Sequence, residues 1–296
     1  MSRNLFLDIF EYEKRKKIPR AELWIGNSIF ENLGLKNNIQ SRLQLCQELG
    51  MDCFFFPLSL TEPTFSPCTY QYFTIPEVRK YIDKINLPLG VILDGPFQHL
   101  CRKWGIFAAL SLLNDPDKLH SEYKETILLL ASAIALMTPL KLDAVVLADD
   151  IAYHETTYFS LNLFETLIAP YYREIVNMIH EGQCLAMFHS DGNWSNIFPS
   201  LVDCGFDGFA GCQWECMDLV SLKQIAKVFF MTGIDLPLLE SDCLGTPERK
   251  TWGKQIKALF AERNFVLTSS CGMHAIKHFE NLKQIYKWMD ELIFDE

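Results

Sequence analysis

The sequence lacks several features that define large classes of protein. It has no basic excess: 27 Lys and Arg stand against 37 Asp and Glu, for a net charge of −10. Binding nucleic acid requires a cationic footprint for the phosphates, so that class of partner is excluded. No G-x-G-x-x-G turn follows the first β-like run, and no G-x-x-x-x-G-K-[ST] loop is present. A dinucleotide fold and a P-loop nucleotide site are therefore disfavoured, and neither NAD nor PLP is expected as a cofactor. No low-complexity linker divides the chain. The longest apolar run, residues 126–140, ends at Lys141 and Asp143. It is shorter than the ~20 residues needed to span a bilayer and reads as a buried helix, so no membrane partner is expected. Residues 1–20 are charged and amphipathic, with Lys14, Arg15, Lys16 and Lys17 clustered together. They read as an N-terminal helical segment rather than a secretory signal, and a cytoplasmic location follows as an expectation.

What is present is a large apolar content. Hydrophobic residues make up 49% of the 296 residues and charged residues 22%, enough for one substantial core. Ten cysteines occur without a secretory context, so reduced thiols that mostly pack as small apolar residues are expected. The C-x₃-C pair Cys212 and Cys216 has no second pair and is a weak zinc signal.

Short apolar runs alternate with helical patterns along the whole chain. Strands are expected at residues 21–25, 52–56, 89–93, 144–148, 185–188, 208–210, 228–232 and 265–268. Helices are expected between them, with a kink or restart at Pro170 and with Pro247 in the first turn of another helix. Strands without strict alternation suit a parallel sheet covered by helices on its outer face. Eight such units close into a single (β/α)₈ TIM barrel spanning 1–296.

A barrel works at the C-terminal ends of its strands. The candidates there are Asn27, Asp94, Asp149, Asp150, His189, Asp191, Asn193, Gln213, Asp235, Cys271 and His274. His189 can ligate a metal or act as a base, and Asp191 lies two residues beyond it; the alternative is that Asp191 caps the following helix. Asp149 and Asp150 are neighbours, so only one of them can face the axis, and the other caps or pairs. Cys271, beside Gly272, would be a soft zinc ligand as a thiolate.

Several motifs in order carry a resemblance. They are Asp94-Gly95-Pro96-Phe97, Asp149-Asp150-Ile151-Ala152-Tyr153, Phe188-His189-Ser190-Asp191-Gly192-Asn193, Gly233-Ile234-Asp235, Gly245-Thr246-Pro247-Glu248 and Ser269-Ser270-Cys271-Gly272. This set resembles the uroporphyrinogen decarboxylase superfamily, which includes the cobalamin-dependent methyltransferases and has a TIM-barrel fold. The decarboxylases grip a carboxylated tetrapyrrole with two arginines. The matching positions here fall near Trp24 and Ser28. The pyrrole-binding Asp is matched by the stretch Phe56-Pro57-Leu58-Ser59, the Tyr falls near Arg102, and the late His falls at Cys271. Each missing charge-assisted contact would cost on the order of 2 kcal/mol. The zinc methyltransferases of the superfamily use His-x-Cys and a distal Cys, here His189, Asp191 and Cys271, with Asp in place of the middle Cys.

The resemblance therefore implies a corrinoid-linked methyltransferase acting on a small thiol or pterin. His189, Asp191, Asp149 and Asp150 would be catalytic, and Asn27, Asp94, Asn193, Gln213, Asp235 and His274 would line the substrate. Zinc would sit on His189, Asp191 and Cys271. The corrinoid (methylcobalamin) would be carried by a small partner protein, and the chain would pair as a homodimer. The alternatives are a carboxy-lyase on a smaller carboxylated substrate and a non-catalytic corrinoid or pterin binding protein.

Overall fold

The computed structural model describes residues 18–59, 70–241, 246–261 and 264–294. Most of the N-terminal segment expected at 1–20, together with Cys68 and Cys243, lies outside them. Seven parallel strands follow one another in sheet order: β1 (Phe54–Pro57), β2 (Leu89–Asp94), β3 (Ala144–Ala148), β4 (Leu185–His189), β5 (Gly208–Cys212), β6 (Phe229–Ile234) and β7 (Phe265–Ser269). Each matches an expected apolar run to within a few residues. The runs are buried along their whole length, as both faces of the sheet are covered.

Among the described residues seven of the eight expected strands pair in the sheet, and no ladder is formed by residues 21–25. Residues 19–26 do run beside β7 and the loop after it, but as two isolated bridges, Arg20 to Leu267 in β7 and Ile25 to Met273 beyond it. The reason is a side chain. A continuing ladder would hand the Ser269 N–H to a backbone carbonyl; instead it donates to Glu22 Oε1 at 3.0 Å. The Ala21 carbonyl is left to accept from the Tyr286 hydroxyl at 3.5 Å. On the other side, the Asp52 N–H donates to the Arg20 carbonyl at 2.8 Å, so the segment touches both ends of the sheet.

The apolar residues divide into two groups. An inner cluster includes Phe55, Ile92, Val146, Ala148, Met187, Ala210, Met231 and Val266, one face of every strand. A larger outer cluster joins the other face to the helices. Burying side chains of this size stabilises by about 1.5–3 kcal/mol each. The helix Pro116–Met137, which contains most of the long apolar run, buries Leu119, Tyr123, Ile127, Leu130 and Ile134 on one side and is capped by Asp115, which accepts from Lys118 N. Pro116–Leu140 is long and apolar enough to cross a membrane by length and composition alone, and it is the one such helix among the described residues. Its buried side packs on the helix Ala169–Glu181. The restart expected at Pro170 is present: a π-helical turn, Phe164–Ile168, precedes Ala169–Glu181, with Pro170 in its first turn.

Candidate active site at the strand ends

Strand register decides which polar groups meet. Asp94, Ala148, His189 and Ala210 are successive partners across β2 to β5. Ala148 and Ala210 belong to the inner cluster, so Asp94 and His189 share that inner side. The same alternation sends Asp149 outward and Asp150 inward.

Asp149 is fully buried behind the sheet. It accepts from Gln98 N at 2.6 Å, Phe97 N at 3.2 Å and the Tyr172 hydroxyl at 2.6 Å. It therefore caps the helix Pro96–Trp104 and is not exposed to the rim. Burial pushes its carboxyl up to about 7. Asp150 is exposed and accepts the Asp191 N–H at 3.3 Å.

His189 is 5% exposed. Its ring lies 6.1 Å from that of Trp24. It also lies against Gly211, which has φ +70° at a bulge in β5; a Cβ there would sit 2.8 Å from the imidazole. Glycine is the residue that combines this backbone with this approach. Nε2 is 3.9 Å from Asp191 Oδ1. His189 Nδ1 and Asp191 Oδ1 are both buried without a hydrogen-bond partner. Burial holds the imidazole below its usual pKa against the opposing charge of Asp150. Burial first, then Asp150 and Asp235, push Asp191 up to about 7.

Gln213 ties three elements together. Its Oε1 accepts from Gly192 N at 2.7 Å, and its Nε2 donates to Cys271 Sγ at 3.0 Å. Cys216 points its thiol at the same Oε1, 3.8 Å away. Burial, then Asp191, push the Cys271 thiol up to about 12. Asp235 accepts from the Ser270 hydroxyl at 2.7 Å and from Glu215 N at 3.3 Å, and burial raises it to about 6. His274 meets the Tyr70 hydroxyl at 3.1 Å and the Cys271 carbonyl at 2.8 Å.

Besides Asp149, two expected site residues stand apart. Asn193 Oδ1 accepts from Ser195 N and Oγ at 3.1 and 2.6 Å, closing its own turn. Asn27 accepts from Asn37 Nδ2 at 2.6 Å, in a network with the buried Arg42. Asp94 belongs to the rim but is already engaged: Arg102 Nε is 2.7 Å from its Oδ2, and the Tyr72 hydroxyl donates to Oδ1 at 3.2 Å.

The expected zinc set does not assemble. Among the described residues, no three His, Cys, Asp or Glu side chains are arranged to hold a metal ion. The Cys271 sulfur is instead an acceptor for Gln213 Nε2 at 3.0 Å. His189, Asp191 and Cys271 therefore do not fit zinc in this arrangement.

Sequence reasoning did not select Trp24, Tyr70 and Tyr72 as site residues. In the sequence Trp24 stands out only as part of the expected strand 21–25 and as a residue near a family arginine position, and the two tyrosines carry no motif. Residues 70–73 return over β1, where Phe73 N donates to the Pro57 carbonyl and Leu58 bridges Phe73. Tyr70 and Tyr72, two residues apart on extended chain, both pack on the inner cluster, while Phe73 joins the outer one. Trp24 lies 4.9 Å from Tyr70 and 6.2 Å from Tyr72, ring to ring. Gly272, at φ +77°, makes room for it: a Cβ there would fall 2.5 Å from Trp24 Cβ.

Strands in consecutive sheet order, with their polar groups gathered at the C-terminal ends, define a parallel α/β class of the TIM-barrel kind. Within that class, the chain belongs to the uroporphyrinogen decarboxylase (URO-D) family, whose model matches residues 59–292. Among solved structures it is similar to a methyltransferase from Methanosarcina mazei, with TM-score 0.73, 16% identity and 98% of each chain covered. It is also similar to a putative vitamin-B12-independent methionine synthase from Listeria monocytogenes, with TM-score 0.52, 13% identity, and 94% and 96% covered. A structure of L-ribulose 3-epimerase aligns at TM-score 0.52 and 13% identity, with 93% and 95% covered. At these identities the likenesses establish the fold. No curated protein matches the chain in sequence.

Proposed function

We propose that the chain is an enzyme that moves a methyl group between a corrinoid on a partner protein and a small molecule seated at the rim. The observation that carries this reading is the charge of the rim. Asp150, Asp191 and Asp235 follow β3, β4 and β6 there, Asp150 accepting the Asp191 N–H at 3.3 Å and Asp235 the Ser270 hydroxyl at 2.7 Å, and the guanidinium at its edge, Arg102, is already taken by Asp94. A tetrapyrrole bearing many carboxylates would meet repulsion where its own decarboxylase supplies arginines. Trp24 forms part of an aromatic wall, and Ser28 hydrogen-bonds the His274 carbonyl. Neither residue can grip a carboxylate as a guanidinium does.

When bound, a corrinoid supplies the centre that gives or takes the methyl group. The chain itself supplies position and proton handling. Gln213 ties the loop after β4, at Gly192, to the loop after β7, at Cys271. His189, kept neutral by burial, can take a proton from a group placed against it, and Asp191 beside it can share or return that proton. Trp24, buried in the inner cluster, packs beside the His189 ring.

The test is anaerobic incubation of the whole protein with free methylcobalamin and a panel of small methyl acceptors, followed by corrinoid absorbance. Enzyme-dependent loss of the methylcobalamin spectrum is expected, and it should fall at least tenfold in His189→Ala. An unchanged spectrum, with carbon dioxide released from carboxylated substrates, would overturn this reading in favour of a carboxy-lyase.

A further inference from the structure

We propose that two copies of this chain pair through the outer face of the helix Pro116–Met137, the two helices crossing antiparallel at Ser132. The inference is independent of the methyl-transfer reading.

This face is apolar where a solvated helix is charged. Residues 126–140 carry no charge at all. One side of the stretch is buried in the fold through Ile127, Leu130, Ile134 and Met137. The other turns outward, and there Leu128 keeps 70% and Leu136 55% of its surface exposed. Between them Ser132 and Ala135 are exposed and Ala131 is half-buried. Ser132 adds no polarity, because its hydroxyl donates back to the Leu128 carbonyl at 2.8 Å. An outward stripe without charge over about two turns departs from the polar outer face of a helix that meets only water. Beside Leu128 opens a groove of about 590 Å³ between this helix and the turn before Ala169–Glu181, lined mainly by apolar side chains such as Leu119, Ile127, Leu167 and Pro170.

Spacing and charge identify the occupant as a second copy. Leu128 and Leu136 stand four residues to either side of Ser132. A two-fold axis at Ser132 therefore sets Leu128 against the partner's Leu136 twice over, with the small residues between them allowing close approach. The two ends of the stripe also carry opposite charge. At its N-terminal end Lys103 is shared by Glu122 and Glu125 at 3.0 Å each, which leaves one negative charge over. At its C-terminal end the exposed Arg79 donates to the Leu136 carbonyl at 3.4 Å and, among the described residues, has no carboxylate partner. Positions 122, 125 and 136 fall on the same side of the helix. Antiparallel pairing thus brings Arg79 of each copy toward the partner's Glu125, whereas parallel pairing sets like charges together. The carboxylates at the edge, on a chain of net charge −10, oppose an anionic lipid surface as the occupant. The stripe lies in the half of the helix that returns to the start of β3 at Ala144. Pairing there leaves the strand C-terminal ends of both copies open.

The experiment is sedimentation equilibrium of the whole protein over a range of concentrations up to about 100 µM, with thermal melting to check that each variant is folded. The 34.2 kDa chain should approach twice its mass, with a dissociation constant on the order of 10 µM, as suits an interface built on one helix face. Ser132→Arg, which places two like charges on the axis, should weaken pairing at least about tenfold. Arg79→Glu and Glu125→Arg should each weaken it about fivefold, and the two together should restore it to within about twofold of wild type. A single 34.2 kDa species at every concentration would overturn the proposal, and so would a dimer indifferent to Ser132→Arg. Failure of the charge exchange to restore pairing would overturn the antiparallel register. Co-sedimentation with phosphatidylcholine vesicles in place of self-association, abolished by Leu128→Lys, would show the face to be a lipid contact and would equally end the proposal.

Discussion

Replacing Asp149 by Ala tests whether this carboxyl is a structural cap rather than a reacting group. Three donors converge on it: the N–H groups of Phe97 and Gln98 and the Tyr172 hydroxyl, at 3.2, 2.6 and 2.6 Å. Losing an N-terminal cap costs about 1 kcal/mol. Stranding the buried Tyr172 hydroxyl adds about 2 kcal/mol. A total near 3 kcal/mol is expected at pH 5, measured by urea unfolding. The pH dependence adds a second signature. Burial raises the folded-state carboxyl to about 7, above its ordinary value of 3.8. A group raised in this way stabilises most at low pH, and that contribution is lost as pH rises from about 4 to about 7. The gap between wild type and Asp149→Ala should therefore narrow by a few kcal/mol between pH 5 and pH 8. Asp149→Asn, which keeps an acceptor, should remove the pH dependence at a cost of about 1 kcal/mol. A loss under about 1 kcal/mol for the Ala variant at pH 5, or a gap equal at both pH values, would refute the capping argument.

Other perturbations follow from the same geometry. Gly211→Ala puts a methyl group 2.8 Å from the His189 ring on a left-handed backbone; turnover of methylcobalamin should fall more than about tenfold while the protein stays folded, as a melting curve would show. Cys271, with its thiol pushed up to about 12, should be alkylated by iodoacetamide at pH 8 about a thousandfold more slowly than a free thiol, read by mass spectrometry; labelling at the free-thiol rate would contradict its assigned surroundings. Glu22, raised by burial to about 7, should make wild type lose stability between about pH 4 and pH 7, and Glu22→Gln should unfold with a flatter pH profile in the same urea assay.

Much of the fold was legible because both faces of the sheet are dry. Runs such as AVVLA at β3 and LAMF at β4 then need no alternation, and β1 to β7 stand out as apolar blocks. The broken eighth ladder was not legible. Residues 21–25 have strand composition, and what interrupts them is Glu22 reaching Ser269 and Tyr286, contacts separated by more than 240 residues. In the site, the alternation rule foresaw that Asp149 and Asp150 diverge but not which way each turns; the register of β3 with β2 and β4 decides that. His189, Asp191, Gln213, Asp235, Cys271 and His274 were reachable as residues following strands. Tyr70 and Tyr72 were not, because they arrive on a long connection with no pattern of its own. Their spacing of two residues was the available signal, but it acquires meaning only once Phe73 is seen to pair beside β1.

The side-chain seam between residues 19–26 and β7 also sets an order of events. Glu22 and Ala21 meet the Tyr286 hydroxyl, and Arg20 meets the Tyr286 carbonyl and the Asp290 carboxylate. All of these partners lie on the last helix, Ile276–Phe294. During synthesis residues 20–22 therefore wait for the helix Ile276–Phe294 to emerge. Consecutive strands can pair as they appear, since each neighbours the next in sequence, but joining the two ends brings together contacts of the longest sequence separation and comes last. Until then, β7 and the segment before β1 present unpaired edges. This is the interval in which a chain of this kind is most open to pairing with the wrong strand.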